Sequence, residues 1–461
     1  MGFWALAPIV LTLLIAFTSR SAIFALLAGC LLGAAMISQN PVTGFNQLLQ
    51  LTLGNGDFIW ICEVVMLIGI LFTLFRRSGV IALLAKRMAK ITGSERKVGF
   101  LTWFMGILII DDYFSPLMTG AIMRPLTDQA RISREKLAFV LDSTTSSVCI
   151  LFPFAAWGAY ITTLIAAQGG PVTSIKEALN VFIYAIPYNF YPILLIIFTL
   201  LVSIKVIPAF GPMKKAEQRV KETGVLLRPG SLPLMDTGSE LLAAPSEGRA
   251  SLFLHLFVPV FVTLGIAVTG VVLQGSVLIA EAFMGGIFCL SIAMFLQGQL
   301  KGITQWVAGV MDGIKDVVPA LVVVALAYCL NGITQELGAA NYLISITESW
   351  MTPSNLVFLT FLLAAFISFS TGTSWGTYAL MIPLALPIAY ELTGQTLDPL
   401  VYQVVAAIAG GGIFGDHASP LSDTSVLSSA GAGCDHLDHV ITQIPYALLV
   451  AAVTCLLYLL I

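Results

Sequence analysis

The sequence is poor in charge. Only 10% of its 461 residues are Asp, Glu, Lys or Arg, whereas 58% are hydrophobic. A soluble domain carries about 25% charged residues, so this composition excludes one. Apolar runs long enough to cross a ~30 Å hydrocarbon core recur along the whole chain, which also excludes a soluble protein with a single anchor. Because these runs are continuous rather than alternating, the sequence predicts an all-α polytopic membrane protein.

The chain also lacks paired cysteines. Its seven Cys residues are scattered, and no two form a C-x-x-C pair. We expect them to act as small buried apolar residues and predict no transition-metal site. The cluster CDHLDH (434–439) contains metal-ligating residue types, but no second ligand group of this kind occurs elsewhere in the sequence. We expect no cofactor, and the basic residues form no nucleic-acid patch.

Basic residues are absent from the last third of the chain, since all 22 Lys and Arg lie at or before Lys315. Two basic loops, 76–97 and 124–136, flank the apolar stretch 98–123, and such loops lie in the cytoplasm. This stretch should therefore enter and leave the membrane on the same side. Each of its arms would be roughly 18 Å long, too short to span. The pattern predicts a re-entrant hairpin with its tip at DDYFSP.

About ten other apolar segments are predicted to cross the membrane. They are 3–18, 21–38, 57–75, 137–168, 178–206, 251–272, 276–298, 315–332, 399–433 and 439–461. The short segments 41–53 and 300–313 occupy equivalent places in the two halves, and the interrupted stretch 354–390 matches the first hairpin. The chain therefore repeats its pattern once.

The count of crossings indicates that the two repeats are inverted. Five crossings and one hairpin leave the second half starting on the opposite side, with both termini outside. The predicted divisions are a first repeat at 1–206 with hairpin 98–123 and broken helix 137–168, a cytoplasmic linker at 207–250, and a second repeat at 251–461 with hairpin 354–390 and broken helix 399–433. Inverted repeats with interrupted helices are typical of secondary transporters.

Acidic residues occur where the apolar segments are interrupted by Ser, Thr, Gly and Pro. A charge at the bilayer centre costs about 3 kcal/mol or more, so an intramembrane acid points to function. No Lys or Arg lies in the same interruptions. Such a carboxylate can hold a proton or a cation, which is the simplest basis for antiport. The candidate ion- or proton-binding residues are Asp111, Asp112, Asp142, Asp416, Asp423 and His417.

Other roles stay open for these residues. Asp111 or Asp112 could instead cap the second arm of the hairpin, and Asp142 could cap its own helix. His417 could relay a proton or only hydrogen-bond within its broken helix. Trp157, Trp375 and Tyr378 could form the walls of a substrate pocket. Alternatively, Trp157 and Trp375 could simply pack in the interior.

Three long stretches resemble a known family. IDDYFSPLMTGAIMRPLTDQARISREKLAFVLDSTTSSVCILFPFAAWGAY, SFSTGTSWGTYALMIPLALPIA and GDHASPLSDTSVLSSAGAGCDHLDHVITQIPYAL look like the NhaC family of Na⁺/H⁺ antiporters, within the ion transporter superfamily. The similarity covers residues 57–206 and 315–450. The resemblance implies a transporter of the bacterial inner membrane rather than an enzyme. Members include Na⁺/H⁺ antiporters and a malate/lactate antiporter, and related sequences are thought to carry amino acids.

The resemblance also implies ion ligands. In the superfamily, Ser, Thr and Asn near hairpin tips and helix breaks coordinate Na⁺. The matching positions here are Ser115, Ser143, Thr144, Thr371, Thr373, Ser374, Ser422 and Thr424. No Asn occurs at these breaks, which departs from the Ser-Asn-Thr pattern of some members. Superfamily relatives further suggest a homodimer with an elevator-like motion.

Two hypotheses follow. The first is Na⁺/H⁺ antiport across the lipid bilayer, in which intramembrane Asp residues bind Na⁺ or H⁺ alternately. The second is Na⁺- or H⁺-coupled transport of a small organic solute, such as an amino acid or a hydroxy or dicarboxylic acid.

Overall fold

The computed structural model describes residues 2–19, 21–38, 40–81, 83, 94–110, 112–153, 156–234, 250–274, 278–339, 342, 345 and 355–461. Asp111 lies outside these residues. Within them the chain is helical, and the β-structure is confined to an isolated bridge between Pro233 and Asp435.

The α-helices have the following bounds. They are α1 (Ala7–Ser19), α2 (Ala22–Ile37), α3 (Pro41–Leu53), α4 (Gly56–Arg77), α5 (Glu95–Leu108), α6 (Phe114–Gln129), α7 (Arg134–Leu151), α8 (Ala156–Ala167), α9 (Ile175–Ala185), α10 (Phe190–Ser203), α11 (Gly211–Thr223), α12 (Val258–Gln274), α13 (Ile279–Leu296), α14 (Ile303–Glu336), α15 (Leu356–Thr371), α16 (Ser374–Leu392), α17 (Pro399–Ala418), α18 (Asp423–Ala432) and α19 (His436–Leu460). Short 3-10 helices cover Gly2–Leu6 and Ile186–Tyr188, and a π-helix covers Phe253–Phe257.

Several helices are long and apolar enough to cross a membrane. Among the described residues, three do so as single helices, Phe58–Arg77, Pro399–Ala418 and His436–Leu460. Three bent pairs raise the number to six: α2 with α3 at 109°, α9 with α10 at 47°, and the two halves of α14 at 44°. The bends and breaks are typical of transporters, in which irregular backbone is tolerated only inside the protein.

Helix α14 corrects one expectation. The segments 300–313 and 315–332 were expected to be separate, but they form one helix that bends beside Pro319. Proline has no N–H to donate to the helix, which explains the bend. The charge of Asp316 within this helix is paired, because its carboxylate lies 3.4 Å from Arg76 in α4.

The first hairpin is interrupted between two helices, close to Asp112. Helix α5 ends at Leu108 and α6 begins at Phe114. The Ser115 hydroxyl donates to the carbonyl of Gly106 over 3.3 Å. In a continuous helix two residues nine apart would be about 13 Å apart. The chain therefore turns sharply between α5 and α6, at the predicted tip.

The second hairpin breaks between α15 and α16. Gly372 has φ +70°, a left-handed conformation that favours glycine. A Cβ at this position would also lie 2.5 Å from the carbonyl oxygen of Leu421. The tip of the second hairpin thus touches the break between α17 and α18.

The two hairpins pack in matching ways. The first arm of each lies along the first part of its own broken helix: α5 along α7, with Gly106 against Thr144, and α15 along α17, with Gly411 against Phe361. The second arm packs on the second part of the other broken helix, α6 on α18 and α16 on α8. This reciprocal packing is expected of two inverted repeats and agrees with the predicted fold class.

The region after α10 is docked onto the helical body. In α11, Glu217 lies 3.4 Å from Lys136 at the start of α7, and Arg219 donates to both carboxylate oxygens of Glu135 at 2.9 Å. Burial opposes ionisation of Glu217, but Lys136 and neighbouring donors outweigh it, so the pKa of Glu217 is lowered. The lowered pKa means that this contact adds stability to the fold.

The same region reaches the turn between α18 and α19. The Leu232 N–H donates to Asp435 over 2.8 Å, and Arg228 donates to Asp438 over 2.8 Å. Arg134 donates to the carbonyl of Gly433 over 3.2 Å. This turn therefore lies on the same face of the protein as the basic loops that precede α7 and α12. The sequence could not reveal this relation, because no Lys or Arg follows Lys315.

The close approach of α6 and α18 yields a first prediction. A Cβ at Gly120 would lie 2.4 Å from the Gly431 carbonyl oxygen. We expect Gly120→Ala to destabilise the protein by about 1–3 kcal/mol, because it forces two packed helices apart. Thermal unfolding in detergent measures the effect. Gly265→Ala in α12 is the matched control, since nothing lies within 4 Å of that position. Equal melting temperatures for the two variants would contradict the prediction.

Docking of α11 yields a second prediction. Removing one member of a buried ion pair costs about 3 kcal/mol, so Glu217→Gln should release α11 and speed hydrogen exchange of its amides. Glu222→Gln, exposed on the same helix, is the control. Because the folded pKa of Glu217 is lowered, its contribution is present above the unfolded pKa and is lost as pH falls through the folded value. Unchanged exchange in the Glu217→Gln variant would refute the assigned role of this pair.

Candidate functional site

The helix breaks meet in the interior of the protein. The Tyr113 hydroxyl, at the break between α5 and α6, donates to Asp423 at the start of α18 over 3.2 Å. Gly372, at the break of the second hairpin, lies against Leu421 between α17 and α18. Because both hairpin tips touch it, the break between α17 and α18 is the centre of the candidate site.

Asp416 lies at this centre, near the end of α17, and is buried. Its carboxylate accepts hydrogen bonds from the hydroxyl of Ser374, over 2.9 Å, and from that of Ser422. The Ser422 hydroxyl lies 2.9 Å from that of Thr424. Three of the predicted ligands, one from each of α16, α18 and the break before α18, are thus brought to one predicted acid.

Asp142 is fully buried in the middle of α7. Its carboxylate accepts hydrogen bonds from Ser425 over 2.8 Å, from Ser428 over 3.3 Å and from the Gln443 side-chain amide over 2.7 Å. The N-cap of α7 is Ser133, so the interpretation of Asp142 as a helix cap is wrong. The three donors to Asp142, from Ser425, Ser428 and Gln443, are all neutral groups.

Asp423 and Asp112 complete the acidic cluster. Asp423 is half-buried and Asp112 is buried. Asp416 interacts electrostatically with both Asp423 and Asp142, and Asp112 interacts with Tyr113. The N-cap of α6 is Tyr113 rather than Asp112. The structure therefore brings four of the five predicted acids together, while Asp111 lies outside the described residues.

His417 is buried and links three helices. Its Nε2 lies 2.9 Å from the Ser143 hydroxyl in α7, and its Nδ1 lies 3.1 Å from the Tyr191 hydroxyl in α10. The interpretation that His417 bonds only within its own broken helix is wrong, because both partners belong to other helices. Ser143, a predicted ligand, thus faces the histidine next to Asp416.

Three other predicted ligands are Thr144 inside α7, Thr371 at the end of α15 and Thr373 between α15 and α16. The Thr144 hydroxyl donates to the Val140 carbonyl over 2.7 Å in its own helix and faces α5. The Thr371 hydroxyl donates to the Ile367 carbonyl over 2.9 Å. Thr373 is half-buried in the break itself. The hydroxyls of Thr144 and Thr371 therefore bond to backbone carbonyls instead of the carboxylates.

The predicted aromatic residues form one group where α8 meets α16. Trp157 is buried and makes edge-on contacts with Trp375 and Tyr378, each with ring centroids 6.4 Å apart. Tyr160 lies 4.8 Å from Trp375, centroid to centroid. The Tyr378 hydroxyl donates to a carbonyl in α17. The group therefore adjoins the break of the second hairpin, because Trp375 and Tyr378 lie in the first turns of α16.

Sequence reasoning missed a buried polar row on α19. His439 Nε2 lies 2.8 Å from the side-chain oxygen of Gln443, and Ser429 in α18 lies 2.8 Å from His439 Nδ1 and 3.1 Å from His436 Nδ1. The spacing of His436, His439 and Gln443, at i, i+3 and i+7, places them on one helix face and was the available signal. It is easily overlooked because CDHLDH resembles a loop between two spans.

Two arginines hold the far end of α18. The buried Arg124 donates to the Ala430 carbonyl over 2.8 Å and to that of Gly431 over 3.1 Å. Arg134 donates to the Ala432 carbonyl over 3.1 Å. The C-terminal end of a helix carries partial negative charge, which these cations stabilise. The short helix that begins at the acidic cluster is therefore fixed at its other end.

The donor set suits a hard cation. Among the described residues, no three His, Cys, Asp or Glu side chains are arranged to hold one metal ion. Single carboxylates surrounded by hydroxyls and carbonyls are the available oxygen donors, and oxygen is the ligand that hard cations prefer. The arrangement can bind a small cation or a proton within a largely apolar interior.

Comparison with known proteins agrees with this chemistry. The model of the Na⁺/H⁺ antiporter family matches residues 148–461. A Haemophilus influenzae protein described as an uncharacterized protein is 32% identical over 99% of this chain and 90% of its own length. The malate-2H⁺/Na⁺-lactate antiporter of Bacillus subtilis is 30% identical over 32% of this chain and 31% of its own.

Two further similarities were found. The Na⁺/H⁺ antiporter NhaC of Alkalihalophilus pseudofirmus is 26% identical over 38% of this chain and 37% of its own length. The crystal structure of the Alcanivorax borkumensis YdaH transporter covers 91% of this chain and 88% of its own, with 15% identity and a TM-score of 0.37. The family match spans more than half of the chain, which confirms the resemblance seen in the sequence. The chain belongs to the Na⁺/H⁺ antiporter family, which includes the NhaC antiporters.

Proposed function

We propose that this protein exchanges Na⁺ for H⁺, with its buried carboxylates binding the two ions alternately. The observation that carries the proposal is the cluster of Asp142, Asp416 and Asp423 at the meeting point of the helix breaks, supplied with neutral donors. Membership of the antiporter family supports Na⁺ and H⁺ as the substrates.

The chemistry follows from charge. A carboxylate that receives only hydroxyl and amide hydrogen bonds keeps its negative charge uncompensated, and low-dielectric surroundings make that charge costly. Either a bound Na⁺ or a bound proton supplies the missing positive charge. Because both ions neutralise the same group, binding of one disfavours binding of the other, and release on opposite sides of the membrane gives exchange.

The ligands that we propose lie around Asp416. Ser374 and Ser422 already contact its carboxylate, and Thr424 contacts Ser422. A cation entering this group would take the acceptor side of these hydroxyls, whose protons would rotate away. Asp423 interacts electrostatically with Asp416, so it adds negative charge to the surroundings of this site.

The proposal includes an orientation and an assembly. We place the basic loops and the linker 207–250 on the cytoplasmic side of a bacterial inner membrane, with both termini outside and repeats at 1–206 and 251–461. The contact of the linker with Asp435 and Asp438 supports this, because it puts the turn before α19 on the face of the basic loops. A homodimer is proposed from the superfamily resemblance alone.

An organic substrate is the second candidate. The aromatic group of Trp157, Tyr160 and Trp375 beside the second hairpin favours it, since such residues can enclose a small solute. One relative is named as a malate-2H⁺/Na⁺-lactate antiporter. In this case Na⁺ or H⁺ would be the coupling ion for a carboxylic acid or an amino acid.

Ion flux in proteoliposomes distinguishes the two candidates. We expect an imposed Na⁺ gradient to drive proton movement without any organic solute, because the acidic cluster needs none to exchange its ions. A pH-sensitive dye inside the vesicles measures it, with protein-free vesicles as the control. An absolute requirement for malate, lactate or an amino acid would reject simple antiport in favour of the second candidate.

Replacing the carboxylates of Asp112 and Asp416 by amides tests their proposed role in ion exchange. Asp112→Asn and Asp416→Asn should each abolish Na⁺-dependent proton flux, because an amide cannot exchange a proton for a cation. Glu391→Gln, at an exposed position near the end of α16, is the control and should behave as the wild type. Normal Na⁺ dependence in both Asn variants would exclude these two acids from the mechanism.

A further inference from the structure

Gln443 occupies an unusual position for an uncharged residue. It is fully buried in α19, and its side-chain nitrogen lies 2.7 Å from Asp142 Oδ2 in α7. The same nitrogen donates to the backbone carbonyl of His417 near the end of α17. One side chain thus joins the two acid-bearing broken helices, and it does so from a third helix.

The identity of its partners defines the orientation of this amide. A carboxylate oxygen and a carbonyl oxygen are both acceptors, so the NH₂ group must face them. The amide oxygen then faces His439 Nε2 at 2.8 Å, and this ring nitrogen must carry the proton. Ser429 lies 2.8 Å from the other ring nitrogen. His439 therefore contacts Ser429 through one ring nitrogen and Gln443 through the other, and the second contact fixes the orientation of the Gln443 amide.

We propose that Gln443 is a positioning residue for the ion site and that His439 keeps Gln443 in place. The amide directs the Asp142 carboxylate towards Ser425 and Ser428 of α18 and fastens it to the backbone beside Asp416. This inference rests on the proposed function in one respect, namely that Asp142 takes part in ion binding.

The choice of an amide has a physical reason. A Lys or Arg at this position would orient the carboxylate equally well but would neutralise it, and the cation would then compete with Na⁺. An amide donates hydrogen bonds without supplying net charge. Gln443 can therefore hold Asp142 in one geometry while leaving its charge for the transported ion, which the rotatable hydroxyls of Ser425 and Ser428 alone would not ensure.

A double-mutant cycle on Na⁺ binding tests the inference. The full chain in detergent is titrated with NaCl, and the Na⁺-induced rise in melting temperature gives an apparent affinity. We expect Gln443→Met, which keeps the length but loses the donors, to raise the half-maximal Na⁺ concentration at least tenfold. In the Asp142→Asn background the same change should have no further effect, because the group that it positions is already altered.

The control and the second variant lie on the same helix. Thr442→Val removes a buried hydroxyl that donates to the His439 carbonyl within α19, and it should leave Na⁺ affinity unchanged. If Gln443→Met fails to fold, His439→Leu replaces it in the cycle and should weaken Na⁺ binding in the same direction. His439→Gln, whose amide can still donate to Gln443, should recover part of that loss.

Each outcome of these Na⁺ titrations supports or overturns the positioning role of Gln443. Wild-type Na⁺ affinity in Gln443→Met, or an effect of equal size in the Asp142→Asn background, would overturn the positioning role and leave a purely structural one. Absence of any Na⁺-induced shift in the wild type would also overturn it. If the wild type binds Na⁺ but vesicles show no exchange for protons, the proposed function fails while the cycle still tests Gln443.

Discussion

A carboxylate in an apolar interior costs free energy unless donors surround it, and its charge persists unless a cation joins them. In this protein, hydroxyls and one amide meet the first need for Asp142 and Asp416. Those donors come from α16, α18 and α19 and from the segment before α18. The packing of all these elements is therefore constrained by the requirement that their polar groups converge on two acids.

The breaks in the helices make this convergence possible. In an unbroken helix, Ser and Thr hydroxyls often return to the carbonyl one turn earlier, as that of Thr144 does. At the start of α16 and α18, no preceding turn is available to Ser374 and Ser422, and both hydroxyls reach Asp416 instead. Gly372 lets the second hairpin approach the break before α18, and Arg124 and Arg134 bind the carbonyls at the far end of this short helix.

Much of this arrangement could be predicted from the sequence, because charge in an apolar stretch is a strong local signal. The break at Asp112, the interrupted second hairpin and the acids of the last broken helix all follow from local composition and from basic loops. The extent of α14 could not be predicted in this way. Asp316 lies within this helix, and only its partner Arg76, far away in the sequence, shows why a charge is tolerated there.

The contacts within the site were harder to predict for a related reason. Asp142 and Gln443 are separated by 301 positions in the sequence, and neither residue signals the other. Gln443 lies in a long, largely apolar helix, and a single uncharged amide there is a weak sequence signal. The spacing of polar residues along α19 identifies a face, but only the packed structure shows that this face meets the acid of α7.

The docking of α11 changes how the connection between the two halves should be regarded. In the described part of this connection, Glu217 of α11 pairs with Lys136 at the start of α7, and Arg228, beyond α11, pairs with Asp438 at the start of α19. These are the two helices that hold Asp142 and Gln443. Any displacement of these helices across the bilayer would carry α11 with it. The position of the proposed ion site is thus coupled to that of α11, a polar helix to which a probe can be attached.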